Sequence, residues 1–446
     1  MADDLNRLAA LLYLRASAVE TVFAEARAKV FPSRESEAFI RFPQSAAAEI
    51  KKAIASRLRE AANPSVNPAS VRRQLQRYGQ ALEYVHQSLS LVANADILSV
   101  PAPFVLLLQE SGADFLKPQF VLHGNPHFNY SHQAVGTNLN RPFSAAGLKA
   151  RLPNSFSVFS FPTALRDDGL LHCVLVHELG HYVETVKSLV AAVWKDAIPA
   201  TQTRVVRMLS TSLGIVPKGV GHTALSASFL TLQSWLEEVV CDLFAARLLG
   251  PASLLAFEEF VAFRGDLSTP SDSHPSPQLR IWLIEGELRR LGWGGTLDSL
   301  TRDIATKPGQ WTATSLRKLP APEQDLRVIE RALLELVPAL RRVVRTTVDR
   351  HAMTKALHDS WATGIEELLQ NHIPPGEMYR NGQQVRVPAK SIANGCWLFH
   401  YRDYPGWQSS QPPLVAAYTK RGLLNRLMYK GLEISYLRGH WGKSSA

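Results

Sequence analysis

One stretch of the chain combines residue types and a spacing that could hold a metal ion. His177, Glu178 and His181 form the pattern H-E-x-x-H within the largely apolar segment Leu171–Glu184. Histidines four positions apart lie on one face of an α-helix, so both imidazoles can reach a single ion. Glu178 projects about 100° away from His177, where its carboxylate could take a proton from a water at that ion. The pattern predicts a zinc hydrolase; the alternative is an accidental match in a solvated helix.

A second predicted helix, from about Ser226 to Leu249, carries two acidic residues among apolar ones. Glu238 and Asp242 share a face of that helix because they are four residues apart. Carboxylates are costly to bury unless they are paired or bind a metal. We therefore predict that Glu238 is the third zinc ligand and that Asp242 accepts a hydrogen bond from the outer nitrogen of His177. The alternative is that both acids face solvent.

These motifs resemble those of the gluzincin metallopeptidases. H-E-L-G-H is followed, 57 residues after His181, by Glu238 in the pattern E-x-x-x-D. The segment Ser273–Ile281, SHPSPQLRI, is similar to the S/T-H-P-x-x-x-x-R-I signature of the HtpX and CAAX-prenyl-protease family. Asp242–Ala245 is similar to that family's D-x-x-A continuation of the third-ligand helix. The resemblance covers residues 155–290.

The resemblance implies roles for two further residues, His274 and Arg280. Both would lie beside the metal site, where they would help to hold the active-site carboxylates and the substrate. The chemistry fits, because an imidazole can donate to a developing oxyanion and a guanidinium can hold a carboxylate in a bidentate fork. The alternative is an ordinary loop before a helix, with Arg280 on its surface.

The predicted activity is zinc-dependent hydrolysis of peptide bonds in a protein or peptide substrate. His177, His181 and Glu238 would bind Zn²⁺ and leave an open position for water, whose pKa the ion lowers. Glu178 would act as general base and then pass the proton to the leaving amine. His274, with Arg280, would stabilise the tetrahedral oxyanion.

The sequence patterns around these residues indicate mostly helices and a few strands, and they predict a predominantly helical α+β protein. The resemblance adds a zincin-type metalloprotease core with a small sheet next to the HExxH helix. We expect an N-terminal helical domain at 1–97, the peptidase core at 98–300, a helical extension at 301–370 and a basic, aromatic-rich region at 371–446. The predicted strands are Phe104–Leu108, Phe120–His123 and Ser155–Phe161. The last alternates polar and apolar residues, and its open edge could take up an extended peptide.

Composition places the chain among ordinary globular proteins. It is 46% hydrophobic and 20% charged, and no apolar run approaches the ~18–20 residues that a membrane span requires. The best-known proteins of the resembled family are membrane-embedded or exported, so we do not carry over their membrane substrates. Three scattered cysteines imply no disulfide framework. The N-terminal sequence does not look like a secretory signal, and we expect a cytoplasmic protein.

The C-terminal residues 376–446 are strongly basic, with ten Lys and Arg against three acids. This charge could bind nucleic acid or an acidic partner, although a solvated basic surface is the interpretation we favour. The aromatic residues of this region could form a base-stacking platform, but a small-domain core is the more common use. They are Trp397, Phe399, Tyr401, Tyr404 and Trp407. The alternative function is therefore a basic nucleic-acid- or protein-binding factor whose metal site is structural or inactive.

Overall fold

The computed structural model describes residues 2–61, 63, 65–88, 91, 94–112, 119–212, 221–262, 266–300, 321–402 and 413–444. These residues are predominantly helical, with a three-stranded sheet and a two-stranded hairpin. The helical α+β class is thereby confirmed. The chain forms two compact units, Met1–Val105 with Lys117–Asp167 and Leu106–Leu116 with Asp168–Ala446.

The first unit begins with three helices that pack on one another: α1 (Ala2–Ala26), α2 (Arg34–Ala61) and α3 (Pro68–Gln87). Asn67 caps α3, since its side-chain oxygen accepts a hydrogen bond from the backbone N–H of Ala69. The apolar side of α3 is buried, as the helical spacing of its apolar residues predicts. This core continues into the sheet of the same unit.

The sheet contains β1 (Phe120–Asn125), β2 (Ser131–Ala134) and β3 (Ser157–Pro162), and helix α5 (Val135–Ala145) follows β2. The strands predicted at Phe120–His123 and Ser155–Phe161 are confirmed. β3 is the central strand, parallel to β1 and antiparallel to β2. The prediction that this strand offers an open edge to a peptide is therefore wrong, because both of its edges are hydrogen-bonded to neighbours.

The strand predicted at Phe104–Leu108 is also wrong. These residues lie in helix α4 (Ala102–Gly112). A short apolar run is compatible with either a buried strand or a buried helix, since it carries no period that separates the two. Leucine is a strong helix former, and the run extends through Gln109 and Glu110 to complete three helical turns.

The second unit is built from the remaining helices and the hairpin. Its helices are α6 (Leu175–Lys187), α7 (Leu189–Asp196), α8 (Pro199–Ser212), α9 (Gly221–Leu249), α10 (Pro251–Ala262), α11 (Pro277–Arg290), α12 (Gly294–Asp298), α13 (Ala321–Val348), α14 (Lys355–Gln370), α15 (Ala389–His400) and α16 (Pro413–Ser444). A 3₁₀ turn at Leu171–Val174 leads directly into α6. Helix α9 is the central element and packs against α6, α11 and α13.

The helix that carries HExxH ends earlier than its sequence predicts. The sequence predicts that helical structure continues from Val186 to Ala197 and ends at Pro199. Instead Ser188 adopts a left-handed conformation, with φ of 51°, and separates α6 from α7. The Glu184 carboxylate then accepts a hydrogen bond from the backbone N–H of Val190. Pro199 begins α8, because proline is well suited to the first turn of a helix, where its missing N–H is not needed.

The pair Asn381-Gly382 predicts a hairpin turn between Glu377–Arg380 and Gln384–Val387, and the structure confirms this hairpin. β4 (Glu377–Arg380) and β5 (Gln383–Arg386) are antiparallel and joined by Asn381 and Gly382. These two residues have φ of 52° and 77°, as a type I′ turn requires, and Asn-Gly is the favoured pair for it. Within the described ranges, no helix has both the length and the apolar character needed to cross a membrane.

Candidate metal centre

An acidic residue holds the start of the 3₁₀ turn that leads into the metal-site helix. The Asp168 carboxylate accepts a hydrogen bond from the backbone N–H of Leu171, at 3.2 Å, and its carbonyl accepts one from His172. The apolar residues that follow are buried on the sides of α6 that do not face the metal site, as their pattern predicts. They are Leu175, Val176, Leu179, Tyr182 and Val183.

Gly180 allows α6 and α9 to approach closely. A Cβ atom at this position would lie 2.8 Å from the Cα atom of Cys241 and 2.9 Å from its Cβ atom. Backbone cannot move aside as a flexible side chain can, so the contact requires glycine. Cys241 lies between Glu238 and Asp242 on α9, and the contact brings both carboxylates to the histidines of α6.

Three potential ligand atoms converge on one point. Nε2 of His177 lies 3.2 Å from Nε2 of His181. Each of these nitrogens lies 3.4 Å from an oxygen of Glu238. Zinc bonds of about 2.0–2.1 Å at tetrahedral angles place neighbouring ligand atoms roughly 3.3 Å apart. The group can therefore hold a metal ion of this size, and it is the predicted set of three ligands.

Asp242 lies on the outer side of His177. Its Oδ1 atom is 2.9 Å from Nδ1 of the imidazole, although the ring N–H points away from a straight hydrogen bond, so the contact is chiefly electrostatic. A carboxylate here orients the ring and directs Nε2 towards the metal position. This is the location that the four-residue spacing from Glu238 predicts.

Arg280 is buried between the two carboxylates of α9. Its Nε and Nη2 atoms donate to the two oxygens of Asp242 at 2.7 and 2.8 Å, in a bidentate fork. Nη2 also lies 3.1 Å from Glu238, and the guanidinium carbon lies 4.5 Å from the centre of the Phe257 ring. The side chain is 8% exposed, so it is not a surface residue of α11. These contacts match the role in holding the carboxylates that the resemblance implies for Arg280. A role of Arg280 in stabilising the oxyanion stays a prediction.

His274 lies at the rim of the centre. Its Nε2 atom is 3.5 Å from Glu238, its side chain is 42% exposed, and its Nδ1 atom is 2.7 Å from the Ser273 hydroxyl. The loop that carries it is held against α9, because the indole N–H of Trp235 donates to the Ser271 carbonyl at 2.9 Å. His274 is therefore both accessible and fixed in place.

A buried pair on α13 also holds this loop, and sequence reasoning missed it. The Glu330 carboxylate accepts hydrogen bonds from the backbone N–H and the hydroxyl of Ser276, at 3.3 and 2.6 Å. Arg327 donates to Glu330 at 2.7 Å and to the Ser268 carbonyl at 2.8 Å. The sequence carries no local signal for this pair, because oppositely charged residues three apart are typical of a solvated helix face.

The charges of the centre shift the pKa values of its carboxylates. Burial alone would raise the pKa of Glu238, but the charge of Arg280 and hydrogen bonds from the two histidines hold it well below its usual range. Burial would likewise raise the pKa of Asp242, but the charge of Arg280 and its hydrogen bonds outweigh this effect and lower the pKa. Burial raises the pKa of Glu178, although both histidines oppose this effect. The ligand carboxylate thus stays ionised, while Glu178 is more basic than an exposed glutamate.

The basic C-terminal residues are mostly engaged within the second unit. Eight of the ten cations contact an acid, a carbonyl or an aromatic ring: Arg380, Arg386, Lys390, Arg402, Lys420, Arg421, Lys430 and Arg438. Trp397 and Phe399 are buried in the core, whereas Tyr404 and Trp407 lie outside the described residues. Binding of nucleic acid or of an acidic partner through this region stays a prediction.

Comparisons with protein-family models, curated proteins and solved structures give no match for this chain. The function is therefore argued from the site alone.

Proposed function

We propose that the chain is a zinc-dependent peptidase with a gluzincin-type centre like that of the HtpX and CAAX-prenyl-protease family. The observation that carries this proposal is the spacing of 3.2–3.4 Å among His177, His181 and Glu238. Two imidazoles and one carboxylate are the protein ligands of catalytic zinc in thermolysin-like sites, whereas structural sites normally have four protein ligands. When bound, zinc would polarise a substrate carbonyl and lower the pKa of water.

Glu178 is the proposed general base. It follows His177 on α6 and is 6% exposed, and burial raises the pKa of its carboxyl group. A carboxylate with a raised pKa accepts a proton more readily and can return it to the leaving amine. Both proton transfers would thus use one side chain, which the buried faces of α6 hold in place.

Asp242 and Arg280 would maintain the geometry of the centre. Asp242 holds the outer nitrogen of His177, and Arg280 joins Asp242 to Glu238. The Arg280 guanidinium thereby holds both the ligand Glu238 and the residue Asp242, which orients the ligand His177. His274 lies at the accessible rim and would donate a hydrogen bond to the oxygen of the carbonyl under attack.

The proposed activity can be tested without knowing the substrate. We would incubate a denatured cellular proteome with the zinc-loaded full-length protein or with Glu178→Gln, and identify new peptide N-termini by mass spectrometry. We expect cleavage by the wild type and a loss of about 10²–10⁴-fold in Glu178→Gln, because removal of a general base costs rates of this order. Equal cleavage by the two proteins, or none by a wild type that binds zinc, would contradict the peptidase proposal.

A further inference from the structure

The C-terminal helix α16 holds the residues immediately before the 3₁₀ turn that leads into the metal-site helix. Arg421 donates to the Asp168 carboxylate through Nε, at 3.0 Å, and through Nη2, at 2.9 and 3.0 Å. These two residues are 253 positions apart in the sequence. Asp168 accepts hydrogen bonds from the first two residues of the turn that leads into α6, so Arg421 holds the residue that holds the start of this turn.

Helices α15 and α16 hold the backbone of Leu170 at its N–H and at its carbonyl. Its N–H donates to Oδ1 of Asn425 at 2.9 Å, and its carbonyl accepts from the indole N–H of Trp397 at 3.0 Å. The ring of Tyr429 covers Gly169, where an added Cβ atom would lie 3.2 Å from the ring. The three residues Asp168, Gly169 and Leu170 are therefore each contacted from α15 or α16.

Arg421 also joins two carboxylates that would otherwise repel each other. Besides Asp168, it pairs with Glu259 of α10, and its guanidinium lies 5.8 Å from the centre of the Trp397 ring. Helix α10 itself packs against the 3₁₀ turn at Leu171–Val174. Loss of the cation would leave two partly buried acids close together beside the start of the metal-site helix.

We infer that Arg421 and Asn425 are positioning residues of the metal centre. By fixing Asp168 and Leu170, they set the direction in which the chain enters α6 and hence the spacing of the histidines from Glu238. A ligand spacing near 3.3 Å tolerates little displacement, because zinc–ligand distances vary by only about 0.2 Å. The inference deepens the proposed function by assigning a role to the C-terminal region. It rests on the metal site of that proposal and does not require peptidase activity.

The test compares Arg421→Gln with the matched control Arg438→Gln on the same helix. Arg438 pairs with Glu377, but its side chain is 45% exposed. The first readout is zinc affinity, measured by competition with a chromogenic chelator. The second is the alkylation rate of Cys173, resolved by mass spectrometry, because this buried thiol lies in the turn between Leu170 and α6.

We expect Arg421→Gln to bind zinc about 10-fold more weakly and to expose Cys173 to faster alkylation, since outer partners of metal ligands typically contribute 10–100-fold to affinity. Arg438→Gln should leave both values within about twofold, as exposed ion pairs contribute little. Adding Asp168→Asn to Arg421→Gln should restore part of the zinc affinity, because the repulsion between Asp168 and Glu259 is removed. The free energy of unfolding is measured beside zinc affinity, because a merely structural role for Arg421 would change the free energy of unfolding and leave zinc affinity unchanged.

Unchanged zinc affinity and unchanged Cys173 alkylation in a folded Arg421→Gln protein would overturn the inference. If that variant does not fold, Arg421→Lys replaces it: lysine keeps the charge but not the fork, so weaker zinc binding supports the inference and wild-type binding overturns it. If the wild type binds no zinc, the proposed function fails, and the alkylation rate alone then decides whether Arg421 holds the turn.

Discussion

Gly180 of the metal-site helix lies directly against Cys241 of α9, the helix that carries the third ligand. Because a Cβ atom at Gly180 would meet the Cys241 backbone at 2.8 Å, the two helices could not keep their present distance if position 180 carried a side chain. The metal centre thus depends on a contact that contains no ligand.

We therefore expect Gly180→Ala to separate α6 from α9. The free energy of unfolding should fall by about 1–3 kcal/mol, the usual cost of overpacking, and zinc affinity should fall with it. Urea unfolding and chelator competition measure the two effects. Gly295→Ala is the control, because a Cβ atom there would have no neighbour within 4 Å. Equal zinc affinities in the two variants would show that the close approach does not set the ligand geometry.

Asp242→Asn tests the support of His177. Asparagine keeps the shape of the side chain but removes the charge that faces Nδ1 and Arg280. We expect zinc affinity to fall by about 10–100-fold, as for other residues that orient a metal ligand. Asp298→Asn removes a carboxylate that is 62% exposed and should leave the affinity unchanged. A wild-type affinity in Asp242→Asn would mean that the ring is oriented by other contacts.

Arg280→Met tests the cation buried between the carboxylates. Removing it leaves Asp242 and Glu238 without their shared partner, which should lower the free energy of unfolding of the metal-free protein by about 3–5 kcal/mol. Arg280→Lys should recover only part of this loss, since an ammonium cannot form the fork. The control on the same helix is Arg289→Met, whose 42% exposed ion pairs should contribute at most about 1 kcal/mol. Similar losses in Arg280→Met and Arg289→Met would contradict the assigned role.

The buried His358 should make the protein less stable in mild acid. Burial lowers the pKa of His358 from 6.5 to about 4. As the pH falls from 6.5 to 4, the unfolded chain takes up a proton that the folded chain does not, so the free energy of unfolding should decrease by up to about 3 kcal/mol. His358→Gln should flatten this dependence in urea unfolding, whereas the exposed His86→Gln should not. An unchanged slope in His358→Gln would contradict the prediction.

The sequence predicted the residues of the centre better than the elements around it. His177, His181, Glu238 and Asp242 could be found because each pair lies four residues apart on one helix, and helical spacing is a local property. Arg280 and His274 came from a resemblance of motifs and not from periodicity. The run Phe104–Leu108 shows the limit of local patterns, because a short apolar segment does not distinguish a strand from a helix.

The supporting contacts could not be predicted from local patterns. Arg421 and Asp168 are 253 residues apart, and Ser276 and Glu330 are 54 apart. Nothing near these residues in the sequence indicates their partners, so the basic C-terminal region was interpreted as a charged surface. The place of β3 at the centre of its sheet likewise depends on pairing with distant strands.

We expect Glu238 to complete a zinc centre with His177 and His181. The decisive measurement is the zinc content of the purified 446-residue chain, by mass spectrometry, beside Glu238→Ala and Glu237→Ala. The two glutamates are neighbours on α9, but only Glu238 contacts both histidines. We expect one zinc ion per chain in the wild type and in Glu237→Ala, and a large loss of zinc in Glu238→Ala. Stoichiometric zinc in Glu238→Ala, or none in the wild type, would contradict it.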